Sequence, residues 1–280
     1  MVENTKRKNR KARLLYVLLV ASIVAVAIFA VLLGRELYTN WQSRSFYSDL
    51  TADIEKRPHD TGHPRPSPSP SGAGDGEDAG AGEQETDEPE EAAWTPYMDF
   101  VALGEKFPGA VGWIKLEGTA IDYPIMHWTD NDYFLGHLPD GTSHRSGSIF
   151  LDYRNSPDFS DKSILIYGHA SRTQEMFGSL KNYRGQDYYD THPAAYIYTP
   201  DRDYALFFVA GYLVDSGTET PPMSFKDDED FLKHIENIKR RSFFESEIEV
   251  GPNDRIVNLC TCAYDFDNAR LILVGKLVEI

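Results

Sequence analysis

The chain is short of cysteine: 280 residues hold two, Cys260 and Cys262, two positions apart and near the end. That excludes a disulfide framework and leaves the thiols for something local. It is also short of base, with 28 Lys and Arg against 44 Asp and Glu and a net charge of −16. Positive charge is densest at the start. Between Lys6 and Arg13 six cations face only Glu3, a net of +5 over residues 1–13, so the remainder carries −21. An acidic body of this kind lacks the basic footprint that a phosphate backbone requires, which excludes nucleic acid as a partner. No internal repeat is present. The length allows one or two domains.

Residues 14–33 form an unbroken apolar run, LLYVLLVASIVAVAIFAVLL. It has the roughly 20 residues that a helix needs to cross a bilayer. The basic cluster precedes it, so residues 1–13 read as a cytoplasmic tail and everything past the run as extracellular. The competing reading is a cleaved signal peptide, whose apolar region is usually about 7–15 residues long. The longer run here, followed by Arg35 and Glu36 where small residues would favour cleavage, predicts a retained signal anchor, a single-pass segment of the cell membrane. Residues 34–56 are a juxtamembrane segment, with a short helix predicted over 37–56. Residues 57–93 are rich in Pro, Gly, Ser and acid, with nine acids and no base from Asp75 to Glu91. Such a stretch cannot bury enough apolar surface to fold, and it reads as a disordered, extended tether.

Residues 94–280 look globular. A helix is predicted over 97–107, stopped by Pro108-Gly109. Strand-like runs follow at 111–116, 121–125, 148–151, 163–167, 195–198, 204–213, 255–262 and 271–279; they are short, β-branched and aromatic, and turn residues separate them. Helical breaks are predicted at 174–182 and, more clearly, at 227–244. Many short strands with few helices predict a mostly β domain built as a closed or nearly closed barrel.

Cys262 ends the run Arg255-Ile-Val-Asn-Leu-Cys-Thr-Cys. Residues at strand ends are well placed for chemistry because a rigid scaffold aims them. A thiol becomes a strong nucleophile as thiolate, and cationic neighbours favour that form. A hairpin after Cys262 would bring Arg270 back beside it, where a permanent cation can stabilise a thiolate or an oxyanion. His169 follows the apolar run Ile164-Leu165-Ile166-Tyr167-Gly168 and can serve as general acid and base. A cysteine, a histidine and a third orienting group support acyl transfer through a thioester. Singly, each has a plainer reading, the cysteine as a small buried hydrophobe and the histidine as a satisfied polar residue. Cys260, Cys262 and His169 could instead supply three metal ligands, although closed zinc sites usually take four. A Cys260–Cys262 disulfide would close a strained ring. Asp265 and Asp267 lie near the cysteine in sequence and could orient His169. His127, His137 and His144 show no partner pattern.

Taken together, these residues resemble the sortase family. Ile166-Tyr167-Gly168-His169 resembles its strand-end histidine motif, and Leu259-Cys260-Thr261-Cys262 its T-L-x-T-C signature, with Asn258 in place of the first Thr. Arg270 falls where the family places its arginine. The resemblance spans roughly residues 97–280 and is closest to class B, through Val111-Gly112-Trp113-Ile114, Gly147-Ser148-Ile149-Phe150-Leu151-Asp152, Met176-Phe177-Gly178-Ser179-Leu180 and the insert 231–244.

The resemblance implies an eight-stranded β-barrel and a cysteine transpeptidase with Cys262, His169 and Arg270 as catalytic residues. Leu259, Cys260 and Thr261 are implied at the substrate. The implied reaction cleaves an LPXTG-like or NPQTN-like sorting signal of a secreted protein through a thioester. The acyl group then passes to a cell-wall precursor amine or a pilin lysine. No cofactor or metal is implied. The position two before the nucleophile, usually small and polar, is Cys260, which donates a hydrogen bond poorly; it reads as a tolerated small residue or as a redox brake on Cys262. The insert 231–244 reads as one wall of the substrate groove or as a cover for the barrel edge. A pilin polymerase and an inactive extracellular scaffold are the alternative functions. The Ser-x-Gly-Cys pattern of a cysteine L,D-transpeptidase is absent.

Overall fold

The computed structural model describes residues 2–54, 97–171, 173–263 and 265–280. The tether expected over 57–93 and the first residues of the expected catalytic domain, 94–96, lie outside the described residues. The chain divides into two compact units, one reaching Leu50 and the other spanning Thr51–Ile280.

The first unit is made by one long helix, α1 (Val2–Ile54). The apolar run and the expected juxtamembrane helix are therefore continuous, because nothing between them, Gly34 included, breaks the hydrogen-bond ladder. The stretch Tyr16–Ile54 contains a window long and apolar enough to cross a membrane, and that window buries none of its surface in the protein. By length and composition it is a candidate membrane span.

The second unit is a closed barrel. Its first element is the short helix α2 (Phe100–Lys106), where Asp99 accepts from the Ala102 amide at 3.0 Å as the N-cap. Eight strands follow among the described residues: β1 (Ala110–Lys115), β2 (Asp122–Met126), β3 (Ile149–Leu151), β4 (Ser163–Tyr167), β5 (Ala194–Tyr198), β6 (Asp203–Asp215), β7 (Arg255–Cys262) and β8 (Ala269–Glu279). Around the barrel they run β1-β2-β3-β4-β7-β8-β6-β5, and β5 returns to β1. The β2–β3 and β4–β7 pairs are parallel and the others antiparallel. The eight predicted runs all form strands, within a residue or two of their expected ends. The break predicted at 174–182 becomes a 3-10 turn at Gly178–Arg184 followed by α3 (Gln186–Thr191).

The helix α4 (Asp228–Arg241) is the predicted insert. Asp227 caps it, accepting from the Asp230 amide at 2.9 Å. Acids fill its first turn and Lys239, Arg240 and Arg241 its last, which suits the helix dipole. Phe231, Ile235 and Ile238 recur at helical spacing and are buried. They pack with Leu165, Tyr212, Ile256, Cys260, Ile272 and Val274 into one apolar cluster. Those strand residues alternate with others along β4, β6, β7 and β8, so α4 covers the outer face of four neighbouring strands.

Candidate active site

Alternation along β7 puts Ile256, Asn258, Cys260 and Cys262 on one face and Val257, Leu259 and Thr261 on the other. β8 runs antiparallel to it with Cys262 opposite Arg270 and Cys260 opposite Ile272. Directly opposed residues share a face, with Cβ atoms about 5 Å apart. On the other side β4 runs parallel, with Tyr167 level with Cys260. His169 lies two residues past the end of β4 and lines the same cavity as Cys262 and Arg270. Sheet register thus sets a guanidinium opposite the thiol, and the cavity brings an imidazole to the same space.

The backbone holds this arrangement. Gly168 is where the chain leaves β4. A Cβ there would lie 2.5 Å from both Ile149 Cδ1 and Phe177 Cδ2, so no larger residue fits. Its amide donates to the Cys260 carbonyl at 3.0 Å, and its carbonyl accepts from Thr261 Oγ1 at 2.7 Å. The His169 carbonyl accepts from the Ser171 and Phe177 amides, each at 3.1 Å. At the hairpin, Asn268 takes a left-handed φ of 60°, which asparagine tolerates, and its carbonyl accepts from Ser216. Arg270 Nη1 donates to the Ala269 carbonyl at 3.0 Å, which ties its guanidinium to the adjoining backbone.

Cys262 lies where two cavities meet. One, of about 290 Å³, is lined by His169, Cys260, Thr261, Cys262 and Arg270, by the polar Asn131, Asp132, Ser146 and Ser148, and by Phe134, Leu135, Phe150, Tyr167 and Gly168. The other, of about 620 Å³, lies against the 170–184 segment and the β7–β8 loop, with Ser171, Lys181 and Arg184 among its walls. Cys262, His169 and Arg270 are each half-buried, which leaves the reactive atoms reachable. Burial, helped by the charges of Arg145 and His144, lowers the His169 pKa below the usual value. The resting imidazole is therefore neutral at neutral pH. Cys260 differs: it is buried, and desolvation pushes its thiol up to about 12 in spite of Arg270.

The other candidate residues fall as follows. Cys260 and Thr261 line the first cavity, whereas Leu259 is fully buried on the opposite face and lines neither. Both cysteines are free thiols. Among the described residues no group of three His, Cys, Asp or Glu side chains is placed to hold a metal ion. Asp265 does not orient His169. It pairs in a two-pronged bond with Arg184, at 2.7 and 2.6 Å, across the second cavity. No residue of α4 lines either of these two cavities, and the helix covers the barrel's outer face. His144, which shows no partner pattern in sequence, and Arg145, which nothing in sequence singled out, act electrostatically on His169; these two and the cavity residues Asn131 and Asp132 sit in loops that only the barrel brings near the cysteine.

No protein-family model matches the chain. Sortase B of Listeria monocytogenes is 35% identical over 170 residues, covering 60% of this chain and 69% of that protein. Sortase B of Staphylococcus aureus is 30% identical over 172 residues, covering 61% and 70%. The crystal structure of the S. aureus protein superposes with a TM-score of 0.62 at 29% identity, over 65% of this chain and 87% of that one. That protein's structure in complex with substrate superposes equally well, at 28% identity over 65% and 85%.

Proposed function

The chain belongs to the sortase family of cysteine transpeptidases and is most like class B; on that premise we propose that it cleaves an LPXTG-like or NPQTN-like sorting signal on secreted proteins and transfers the acyl group to a cell-wall precursor amine. The observation that supports the residue assignment is the β7–β8 register that pairs Arg270 with Cys262, together with the cavity that His169 lines with both, next to a second cavity that Cys262 also lines.

In this reading the sorting peptide occupies the smaller cavity, with its scissile carbonyl over Cys262. The Cys262 sulfur attacks as the neutral His169 takes the thiol proton. Arg270 and nearby backbone amides hold the oxyanion. Collapse breaks the C–N bond, and His169 returns its proton to the departing amine. The thioester then faces the larger cavity, from which the acceptor amine enters. His169 removes a proton from that amine as it attacks and delivers it to the Cys262 sulfur as the new amide forms. No proton is gained or lost over the cycle.

The same proposal reads residues 14–33 as the membrane anchor, 1–13 as the cytoplasmic tail, 57–93 as a tether and 94–280 as the catalytic domain outside the cell. The test incubates the full chain in detergent micelles with fluorogenic peptides of both motif types and an amine acceptor. Cleavage, an acyl adduct mapped to Cys262 and an amide product are expected. Cleavage that survives Cys262→Ala would overturn the assignment.

A further inference from the structure

Asp152 directly follows β3 and is fully buried, yet it carries a charge. Its two oxygens are saturated. Oδ1 accepts from the Arg154 amide at 3.0 Å and from Arg154 Nε at 2.8 Å. Oδ2 accepts from Arg154 Nη2 at 2.8 Å, from Asn131 Nδ2 at 3.0 Å and from Tyr167 Oη at 3.0 Å. Burial alone would raise this carboxyl. The bonds from Arg154, then Asn131 and Tyr167, outweigh it and hold the group at about 2, so it is ionised throughout the working range.

The donors fall on two sides. Arg154 is half exposed and seals the carboxylate from solvent. Asn131 and Tyr167 come from separate elements, the loop after β2 and the end of β4, and both line the cavity beside Cys262. A brace between β3 and β4 needs neither of them, because the Asp152 amide already donates to the Leu165 carbonyl at 2.8 Å.

The bonds also fix what each group can offer. Tyr167 gives its only proton to Asp152, so its oxygen can only accept from a ligand. Burial keeps that phenol neutral. Asn131 uses one amide hydrogen on Asp152, and its carbonyl accepts from the Tyr153 amide at 3.0 Å, which leaves one hydrogen and one lone pair free and rules out a flipped amide.

We propose that Asp152 is a positioning residue for peptide recognition: its buried carboxylate fixes Asn131 and Tyr167 so that the cavity wall presents a set pattern of one acceptor and one amide edge to the polar groups of the bound peptide. The inference rests on the reading that this cavity receives the sorting peptide.

The experiment uses the full chain in micelles and the peptide that the wild type cleaves. Asp152→Asn keeps the shape but removes the charge and turns one acceptor into a donor, against Arg154 at the Oδ1 position or against Arg154, Asn131 and Tyr167 at the Oδ2 position. It is expected to raise KM about tenfold with kcat changed less than about twofold, the scale of one or two misaligned hydrogen bonds. Modification of Cys262 by a methanethiosulfonate reagent should keep its rate. Tyr167→Phe and Asn131→Ala should each raise KM alone and add little on top of Asp152→Asn, a coupling that a purely structural role would not produce. An unchanged KM in folded Asp152→Asn, or KM effects that simply multiply, would overturn the inference. If Asp152→Asn does not fold, Tyr167→Phe and Asn131→Ala decide the matter, since both keep the Asp152–Arg154 pair; an unchanged KM in both overturns it. A wild type that cleaves no peptide at all overturns the function reading, and this inference with it.

Discussion

Cys260 and Cys262 sit on one face of one strand, two residues apart, in opposite surroundings. At Cys260 the face carries the apolar cluster that α4 builds on the strands, and the thiol is a buried member of it beside its cross-strand partner Ile272. At Cys262 that cluster has ended and two cavities open, with Arg270 opposite and His169 lining one of them. The residue type and strand geometry are the same, so the difference comes from what covers the face. Where α4 lies, desolvation drives Cys260 up to about 12 and leaves an inert thiol. The redox-brake reading of Cys260 loses its support, because attack on an oxidised Cys262 would require the thiolate of Cys260.

The sharpest test of that contrast exchanges the two sulfurs. Cys262→Ala should lower kcat/KM by roughly 10⁴-fold or more, as loss of a covalent nucleophile does, and abolish the acyl adduct seen by mass spectrometry. Cys260→Ser in the same assay should stay within about tenfold of wild type, because only a buried contact is altered. Equal losses in both would erase the distinction. Thinning that cluster is the second test. Phe231→Ala deletes a fully buried ring and should cost about 3–5 kcal/mol in chemical denaturation. It should also let iodoacetamide reach Cys260 under conditions where the wild type labels at Cys262 alone. A Cys260 that stays protected would mean that the strands, not α4, shield it. Third, Arg270→Ala should reduce kcat/KM by about 10²–10³-fold, the usual effect of losing an oxyanion donor, with thermal stability nearly unchanged. A tenfold or smaller loss would assign the oxyanion to backbone amides.

The strands were legible because each is a short β-branched run bounded by turn residues, and β4 and β7 matched their predicted limits. The Cys262–Arg270 pairing was legible too, because a hairpin closing over the residues between them brings the two ends back opposite each other. What failed to show in sequence depends on distant partners. The acid at 265 looked available to His169 until the barrel brought Arg184, 81 residues away, against it. Asp152 stood in sequence only as the last residue of a segment resembling class B, since its donors Asn131 and Tyr167 lie 21 and 15 residues away. The insert was recognised as a helix, but amphipathicity says that one face is buried, not against which strand positions.

The smallest effect tests the open end of the face directly. His169 is lowered by burial first and then by the positive charges of Arg145 and His144, while Asp132, Arg270 and Cys262 share its cavity. The neutral imidazole is the form proposed to accept the thiol proton, so activity should fall as acid protonates it. Because the folded pKa is below the ordinary 6.5, the acid limb of kcat/KM should lie below pH 6.5. Stability has the same sign. The unfolded chain protonates this residue at about pH 6.5, before the folded chain does, so His169's contribution is complete above that pH and is lost as pH drops from there through the folded value. Arg145→Gln removes one of the two opposing charges and should move the limb upward. His144→Gln should move it in the same direction. A limb that lies above pH 6.5, or that neither substitution moves, would show that some group other than His169 governs it, and the mouth of the barrel would then owe its reactivity to Cys262 and Arg270 without the imidazole.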